Sequence, residues 1–579
     1  MSASTTQPEP NRPSSTQRTL KRYGPLAAVG LLVAGAIVVL GGGGDDDADT
    51  ANTGGGDEQV AAPVAEQEGT LLTFQEAEEQ GADIDFGESC DPETGRVAIP
   101  LRSAAPCVQP FEEGADNGGA TSPGVTADAI KIVVYKSELD PLVAAAVGAA
   151  GADVDPDASN QTALDYLAMF EDVYETYGRR LDIEVVEATG GASDATAALA
   201  DAQSVIDKQP FAVIGGPGQT DAYWQEIAAA GILCMGGCTL AEGWDNVEDA
   251  APYIWPTALA PEQADSHLAG LLGKQLVGKP ASFAGDEAMH DTERVFGWVQ
   301  AETETGEYAA RNDAFDAQLK EEYGGEIAVR STYLFDIGKA QETATTVIAR
   351  MRDAGVTTVI LSVDPIVPKN ITEEATKQGY FPEWVVGPSV LADTNIFGRT
   401  YDQQQWRNAV GLSIPATPTD NTLGDSYFVY DWYYGKPPPT NTSGVILPGP
   451  SQFMLGIHLA GPELTPESFR DGLFQRYPRK EPGRTYTSVG WGEDLWGRAD
   501  YNAGDDAGAF WWDPDEPGED ETGNPGTGMK RFIDGGRRFL PDEWPEEEMG
   551  FFDEEGTVTS YEELPEGEEH PDYPPPARG

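Results

Sequence analysis

A glycine-rich turn after one of the apolar runs has the residue types of a phosphate-binding loop. The run is 211–214, and the turn Gly-Gly-Pro-Gly at 215–218 leads into a predicted helix from Asp221. A dinucleotide fingerprint would have its third glycine where Asp221 stands, and a P-loop would have a lysine and a Ser or Thr where Gln219 and Thr220 stand. Neither nucleotide motif is therefore complete.

Two interpretations of this turn remain open. The glycines can serve only to turn a strand into a helix. Alternatively, backbone amides at the helix start, together with the side chains of Gln219 and Thr220, face a small polar or zwitterionic ligand.

The charge balance narrows the range of partners. The 579 residues include 98 acidic and 36 basic side chains, a formal net charge of -62. Such a chain repels nucleic acid phosphates and anionic membrane surfaces, because affinity for both depends on lysine and arginine. We expect no nucleic acid partner, and the length and 40% hydrophobic content are enough for two or three ordinary domains.

The amino end carries a targeting signal. A basic tail at 1–24 precedes a charge-free apolar run from Pro25 to Leu40, which is shorter than the ~20 residues of an average membrane span. The segment 25–41 is thus either a signal peptide or a short signal anchor, with its basic flank inside. A retained anchor is favoured because no small-x-small cleavage site follows Leu40. We expect the chain outside the cytoplasm, either anchored or secreted. A flexible spacer would separate its folded part from the membrane.

Four cysteines form two local pairs in sequence, Cys90 with Cys107 and Cys234 with Cys238. Three connectivities are possible, but oxidation is the default outside the cytosol and proximity favours the local pairs. A structural zinc site is the alternative. It is disfavoured because neither pair has C-x-x-C spacing and the chain has four histidines. We expect no metal and no cofactor.

The middle of the chain alternates predicted strands and helices in two series. The first series has strands at 129–135, 181–185, 211–214 and 232–235, with helices at 160–177, 194–208 and from 221. The second has strands at 296–299, 328–335, 359–363 and 384–386, with helices at 309–323 and 340–354. This repetition predicts an α/β fold of two doubly wound parallel sheets, with any ligand beyond the carboxyl ends of the strands.

Three stretches resemble one known family. They are GVTADAIKIVVY at 124–135, PFAVIGG and GILCMGG within 210–237, and HLAGPELTPESFRDGLF at 458–474. Over about 124–512 the chain resembles extracellular solute-binding proteins of the type I periplasmic-binding fold, of the leucine/isoleucine/valine-binding kind from ABC importers. The resemblance implies two hinged lobes that close on a small ligand without covalent chemistry.

The resemblance also implies a division of the chain. Lobe 1 would comprise 124–256 and 387–490, and lobe 2 would comprise 257–386 and 491–515. The remaining segments are the spacer with the Cys90/Cys107 extension at 42–123 and an acidic C-terminal extension at 516–579.

Contact residues follow from the resemblance position by position. In lobe 1 they are Ser137, Glu138, Gly218, Gln219, Thr220, Gly237, Cys238 and Thr239; in lobe 2 they are Thr303, Thr305, Asp364 and Ser389. Thr305 stands where amino-acid binders of the family have an aromatic residue, and a disulfide at Cys238 would stiffen a contact loop. Asp364 could pair with an ammonium group or cap a helix.

For the aromatic and acidic residues near the carboxyl end, structural roles are favoured over ligand or metal binding. Trp491, Trp496, Trp511 and Trp512 could stack on sugars, but core packing is favoured. The carboxylates within 513–520 could bind calcium, yet they lack the glycine and terminal Glu of an EF-hand loop. From Glu543 onward the composition predicts a disordered or loosely wrapped tail.

Three function classes follow. The favoured one is a solute receptor that delivers a small ligand to an ABC permease. The alternative is a membrane-anchored sensor or scaffold ectodomain with the same bilobal closure, which the absence of adjacent permease and ATPase genes would favour. An enzyme is disfavoured because no nucleophile motif such as G-x-S-x-G stands at a strand-to-helix turn.

Overall fold

The computed structural model describes most of the chain beyond residue 70. The described ranges are 71–112, 114–137, 155–218, 220–239, 242–302, 307–334, 336–389, 391–521 and 523–576. The expected basic tail, the signal segment 25–41, most of the spacer, and the site residues Glu138, Gln219, Thr303 and Thr305 lie outside these ranges. Within the described ranges, no helix is both long and apolar enough to cross a bilayer.

An N-terminal extension precedes the sheets. Its elements are helix α1 (Phe74–Gln80) and the antiparallel strands β1 (Cys90–Asp91) and β2 (Arg96–Val97). Thr73 begins α1 with a capping box, its hydroxyl accepting from the Glu76 amide and the Glu76 carboxylate accepting from the Thr73 amide. The structure pairs Cys90 with Cys107, the local pairing favoured from the sequence.

Among the described residues, five parallel strands form the first sheet. They are β3 (Ala129–Lys136), β4 (Arg180–Glu187), β5 (Ala212–Ile214), β6 (Leu233–Met235) and β7 (Ile254–Trp255), in the spatial order β4-β3-β5-β6-β7. The helices between them are α2 (Pro156–Val173), α3 (Ala195–Ile206), α4 (Asp221–Ala229) and α5 (Trp244–Asp249). Asp155 and Asp194 accept amide hydrogen bonds at the starts of α2 and α3.

In the part of the chain that the structure describes, the second sheet has eight strands. They are β8 (Phe296–Glu302), β9 (Ile327–Leu334), β10 (Thr358–Ser362), β11 (Glu383–Val386), β12 (Ala409–Ser413), β13 (Ala507–Glu519), β14 (Pro525–Phe532) and β15 (Arg538–Phe539), in the order β14-β13-β12-β11-β10-β8-β9 with β15 beside β13. Strands β8 to β12 are parallel, and β13 to β15 run antiparallel at one side. Its helices are α6 (Pro261–Gln275), α7 (Glu307–Tyr323), α8 (Ala340–Asp353), α9 (Val367–Lys377), α10 (Asn395–Gly398) and α11 (Gln403–Trp406).

Both faces of the second sheet are buried. Along β10, Val359 and Leu361 belong to one apolar cluster, whereas Ile360 between them belongs to another. Alternate residues of a strand point to opposite faces. The second sheet is therefore covered on both sides, as expected for parallel strands.

The chain then returns to the first sheet. After β12 come α12 (Asp425–Tyr434), α13 (Ser443–Ile446), α14 (Pro448–Ala460) and α15 (Pro466–Arg476). Residues of this segment, among them Phe453 and Leu473, share one apolar cluster with the first sheet and the N-terminal extension. We call the two bodies the first lobe and the second lobe. Within the described residues, the elements of the two sheets are joined by three crossings, after β7, after β12 and before β13.

The lobe composition differs from the sequence expectation in three places. β12, within the stretch 387–490 assigned to lobe 1, pairs with β11 in the second sheet. Trp491 and Tyr501, within the stretch 491–515 assigned to lobe 2, pack in the first lobe. β14, within the expected C-terminal extension, pairs with β13. β13 and β14 are consecutive strands, but their sheet is set by the pairing of β13 with β12, about a hundred residues earlier in the chain, and local patterns do not encode such partners.

The tryptophans near the carboxyl end lie in packed surroundings. Trp491, Trp511 and Trp512 are buried, and Trp496 donates through Nε1 to Asp505 and packs edge-on against Trp244. The described residues contain no group of three or more His, Cys, Asp or Glu that could hold a metal ion. Asp513 instead accepts from Arg531 at 2.7 Å.

Candidate functional site

The loops after β3 and β5 meet at the carboxyl edge of the first sheet. The Ser137 hydroxyl donates to the Gly216 carbonyl at 2.8 Å. Gly215 has a φ of +89°, and a Cβ there would lie 2.8 Å from the Tyr135 carbonyl oxygen. Only glycine fits this turn without strain, so the turning role of the glycines is a physical requirement of the loop.

The loops after β5 and β6 are also packed together. Gly218 and Thr239 form a parallel bridge, and a Cβ on Gly216 would approach the Cys238 Cα to 3.0 Å. Cys238 is bonded to Cys234 of β6. The predicted lobe 1 residues in the described part of the chain therefore converge on one edge, which is held by backbone contacts and a disulfide.

Like Ser137, the other two predicted lobe 1 hydroxyls have internal partners. Thr220 accepts from the Ala222 amide at 3.4 Å at the start of α4. Thr239 donates to Glu242, whose carboxylate also accepts from the indole of Trp224 at 3.1 Å. These bonds fix the loops, and a ligand here would meet mainly backbone groups.

Asp364 lies at the carboxyl edge of the second sheet, directly after β10. It accepts from the amides of Ile366 and Val367 at 2.8 and 2.9 Å and from the Tyr333 hydroxyl. Burial raises the pKa of Asp364, although these hydrogen bonds oppose the shift. These bonds close an Asx-type turn before α9, whose N-cap residue is Ile366 and has no side-chain cap.

Ser389 lies in the loop after the neighbouring strand β11. Its Oγ is buried and has no hydrogen-bond partner within the described part of the chain. The same loop carries Asp393, a buried carboxyl whose pKa is raised by burial and held down in part by the charge of Lys530. Asp364 and Ser389 therefore share one edge, because β10 and β11 are neighbours.

Sequence reasoning missed several buried polar residues of this second edge. Tyr333 donates to Asp364, and Tyr401 donates to the Pro365 carbonyl at 2.9 Å. The alternating pattern of β9 could have indicated that Tyr333 points inward, but no local signal marks Asp393, Tyr401 or Lys530 as neighbours of this edge.

One surface depression of about 350 Å³ lies away from both edges. It is lined by residues of α4 and α5 and by the segment after α5: Trp224, Gln225, Ala228, Ala229, Asn246, Asp249, Ala250, Ala251 and Tyr253. It contains no predicted site residue. We do not assign it to the candidate site.

No family model matches the chain, and neither does any curated protein. Solved structures similar to it are type I periplasmic binding proteins and solute-binding proteins of ABC transporters. One is a periplasmic binding protein type 1 from Bordetella pertussis Tohama I, at 13% identity over 66% of this chain and 97% of that one, with a TM-score of 0.44. A putative branched-chain amino acid ABC transporter protein from Rhodospirillum rubrum has 15% identity over 66% and 97%, with a TM-score of 0.43.

A third similar structure is a fatty acid ABC transporter substrate-binding protein from Thermomonospora curvata. It has 15% identity, covers 77% of this chain and 100% of its own, and has a TM-score of 0.44. With scores of this size, the assignment of the fold rests on the sheet topology itself. The fold is α/β, with two lobes built on parallel sheets.

Proposed function

We propose that this protein is an extracellular solute-binding protein that holds a small polar or amino-acid-like ligand between its lobes and delivers it to an ABC permease. The observation that carries the proposal is the buried Ser389 hydroxyl, unpartnered within the described residues, at the carboxyl edge of a parallel sheet. Buried polar groups are nearly always satisfied. Crevices at such edges are where open α/β sheets bind ligands.

The two-lobe architecture supports a binding role that needs no covalent step. A ligand that touches both lobes only when they are closed shifts the population toward the closed form by its differential affinity. Three chain crossings are the kind of hinge that allows such closure. The protein is accordingly proposed not to be an enzyme.

The ligand contacts are proposed to divide between the lobes. In the first lobe, the backbone around Gly218, Gly237 and Thr239 would contact the ligand together with Gln219. In the second lobe, Ser389 would donate or accept a hydrogen bond. Asp364 is a weaker candidate for an ammonium partner because its oxygens already accept from two amides and a hydroxyl.

We propose an extracytoplasmic location, anchored or secreted, because the N-terminal segment is typical of a cleaved signal or a retained anchor, and the two disulfides fit this location. Co-purification of an ABC permease with the full chain from native membranes tests the delivery step. Failure to recover one would favour the sensor or scaffold ectodomain.

The binding proposal is tested by a thermal-shift screen of the full chain against amino acids, amides, short organic acids and sugars. A ligand that binds only the folded state at 100 times its Kd stabilises by about 2.7 kcal/mol. Once a ligand is found, Ser389→Ala should weaken its binding. Ser204→Ala, at an exposed position of α3, is the matched control. Equal affinity for both variants and the natural chain would remove Ser389 from the site.

A further inference from the structure

The C-terminal tail from Trp544 onward is docked on the second lobe at its start. Trp544 is 1% exposed, and its indole Nε1 donates to His267 Nδ1 at 3.1 Å. The Trp544 carbonyl accepts from Lys274 at 2.7 Å. His267 and Lys274 both belong to α6, so a full aromatic side chain and two hydrogen bonds fix this end of the tail.

The next stretch of the tail stays on the second lobe. Phe552 packs against Phe283 and Trp511 with ring centroids 5.1 and 5.4 Å apart. Val558 and Phe532 exchange backbone hydrogen bonds of 2.7 and 3.1 Å, so the tail continues the sheet beside the end of β14.

The tail then runs along the second of the three crossings. The Tyr561 amide donates to the Pro418 carbonyl at 2.8 Å, and the Asp420 amide donates to the Tyr561 carbonyl at 3.1 Å. The Tyr561 hydroxyl donates to the Gly535 carbonyl at 2.6 Å. This residue is therefore bonded both to the crossing segment and to the second lobe.

The far end of the tail is fixed on the first lobe. Glu568 is buried, and its two carboxylate oxygens accept from the amides of Arg484 and Thr485 at 2.8 and 3.0 Å. The His570 ring stacks on Phe428 with centroids 4.1 Å apart. Charged groups are rarely buried unless they are paired in this way.

The N-terminal extension contacts the end of the C-terminal tail that lies on the first lobe. Arg102 donates to Asp425 of α12 at 2.8 Å and to the Glu568 carbonyl at 3.3 Å. The Tyr573 hydroxyl donates to Asp91 at 2.7 Å, next to the Cys90–Cys107 disulfide. Two segments outside the two sheets thus hold each other on the first lobe.

Residues 562–567 lie between the two sets of anchors. Glu562, Glu563, Glu566 and Gly567 are exposed, so this stretch spans from one lobe to the other across the surface. An acidic stretch of this composition would not be ordered by its own contacts. Its ends are ordered because they are fixed on different lobes.

We propose that the C-terminal tail is a strap, a fourth connection between the lobes that stiffens the hinge and limits how far the lobes open. The inference rests on the lobe closure of the proposed function. A chain tied to both lobes must stretch or detach when they separate, so the strap lowers the population of the open form.

The test cuts the strap in the folded full chain. A protease recognition sequence is inserted between Glu562 and Glu563 and cleaved after folding. The control has the same insertion between Glu554 and Glu555, which are exposed and precede the Val558 and Tyr561 contacts with the second lobe. The control cut therefore leaves the inter-lobe stretch intact.

The readout is the distance between spin labels on cysteines introduced at Asp182 of β4 and Glu342 of α8, both exposed. The described cysteines are all disulfide-bonded, so the labels attach only at the introduced sites. Without ligand, the 562/563 cut should shift the distance distribution to longer values and broaden it, whereas the control cut should leave it unchanged. Identical distributions, or an equal shift from both cuts, would overturn the strap.

A substitution pair gives the same test without an insertion. Glu568→Gln replaces one of two amide-accepting oxygens with a donor and should broaden the distribution, whereas Glu566→Gln at an exposed position should not. No change in the Glu568 variant would count against the strap. Because these measurements need no ligand, their failure leaves the binding proposal standing, and a failed ligand screen leaves the strap standing.

Discussion

The two sheet edges that carry the candidate site are held in different ways. At the first edge, glycine turns, backbone bridges and the Cys234–Cys238 disulfide bring the loops into contact. In the second lobe, buried carboxylates hold neighbouring segments together instead. Asp364 at the second edge accepts from two amides, and Glu383 of β11 accepts two hydrogen bonds from Arg294. The first edge is thus sensitive to added volume, and the second lobe is sensitive to lost charge partners.

The largest effect should come from removing a charge partner in the second lobe. Arg294 binds Glu383 of β11 through two hydrogen bonds of 2.7 and 2.9 Å, with both side chains almost fully buried. Arg294→Met leaves that carboxylate without its cation, which costs about 3–5 kcal/mol. Urea unfolding measures the loss.

The double variant Arg294→Met/Glu383→Leu is the control for that prediction. It removes both charges and should recover much of the lost stability. A double variant as unstable as the single one would mean that packing, and not the charge pair, holds β11 in place.

The matching change at the first edge adds one methyl group. Gly236 has a φ of +58°, and a Cβ there would lie 2.9 Å from the Gly449 Cα of α14. Gly236→Ala should lower the free energy of unfolding by about 3 kcal/mol, because it adds backbone strain and a steric overlap. Gly237→Ala, also at positive φ but with no atom within 4 Å of the added Cβ, should cost about 1 kcal/mol. Thermal unfolding of the pair measures the difference, and equal losses would show that contact with α14 does not matter.

The contributions of Asp265 in α6 and Asp425 in α12 to the pH dependence of stability should have opposite signs. Burial raises the pKa of Asp265 in α6 to about 6, against the opposing charge of Arg311. Its folded-state pKa exceeds the ordinary 3.8, so its contribution to stability is present below that value and is lost as the pH rises toward 6. In the first lobe, burial acts to raise the pKa of Asp425, but Arg102 and His570 lower it to about 2. That contribution is lost as the pH falls from 3.8 toward 2.

Hydrogen exchange read separately for α6 and α12 checks both signs. Protection of α6 should fall between pH 4 and pH 6, and protection of α12 should fall below pH 4. In Asp265→Asn the α6 dependence should flatten while that of α12 persists. A dependence of the same sign in both helices would contradict the contrast.

The smallest effects on folding should come from the site residues themselves. Asp364→Ala removes an acceptor for two amides and a hydroxyl and should cost about 1–2 kcal/mol. If Asp364 also contacts the ligand, this variant should in addition bind the ligand more weakly. Gln219→Ala should leave the melting temperature unchanged and weaken the ligand identified by the screen. Calorimetry on both variants separates the effects, and unchanged affinity in both would remove them from the site.

Local patterns predicted most elements of both sheets. The run AIKIVVY predicts a strand at 129–135, and β3 occupies Ala129–Lys136. The three- and four-residue spacing of apolar residues predicts a helix at 194–208, and α3 occupies Ala195–Ile206. Such patterns arise from residues that are near in sequence, where the helical period of 3.6 and the strand period of 2 are fixed by backbone geometry.

Local sequence patterns predicted the candidate site only in part. Strand ends located the loops at Ser137, Gly218, Thr239, Asp364 and Ser389, because parallel strands bring their carboxyl ends to one edge. The sequence could not indicate that Asp364 accepts from Tyr333, or that Ser389 Oγ has no partner, because both depend on which distant side chains fold over the loop.

The amino-acid sequence alone predicted most strands and helices of the parallel sheets, the two-sheet α/β class and the acidic character, and it favoured the local cysteine pairing. Tertiary structure alone decided the lobe to which β12 and β14 belong, the hydrogen bond that Asp364 accepts from Tyr333 and the docking of the C-terminal tail. The tail illustrates the reason. Its composition predicts little order, yet Trp544 and Glu568 are buried and form hydrogen bonds with partners 270 and 84 positions away in the chain. Contacts at such separations depend on the three-dimensional arrangement of surfaces, which no local pattern encodes.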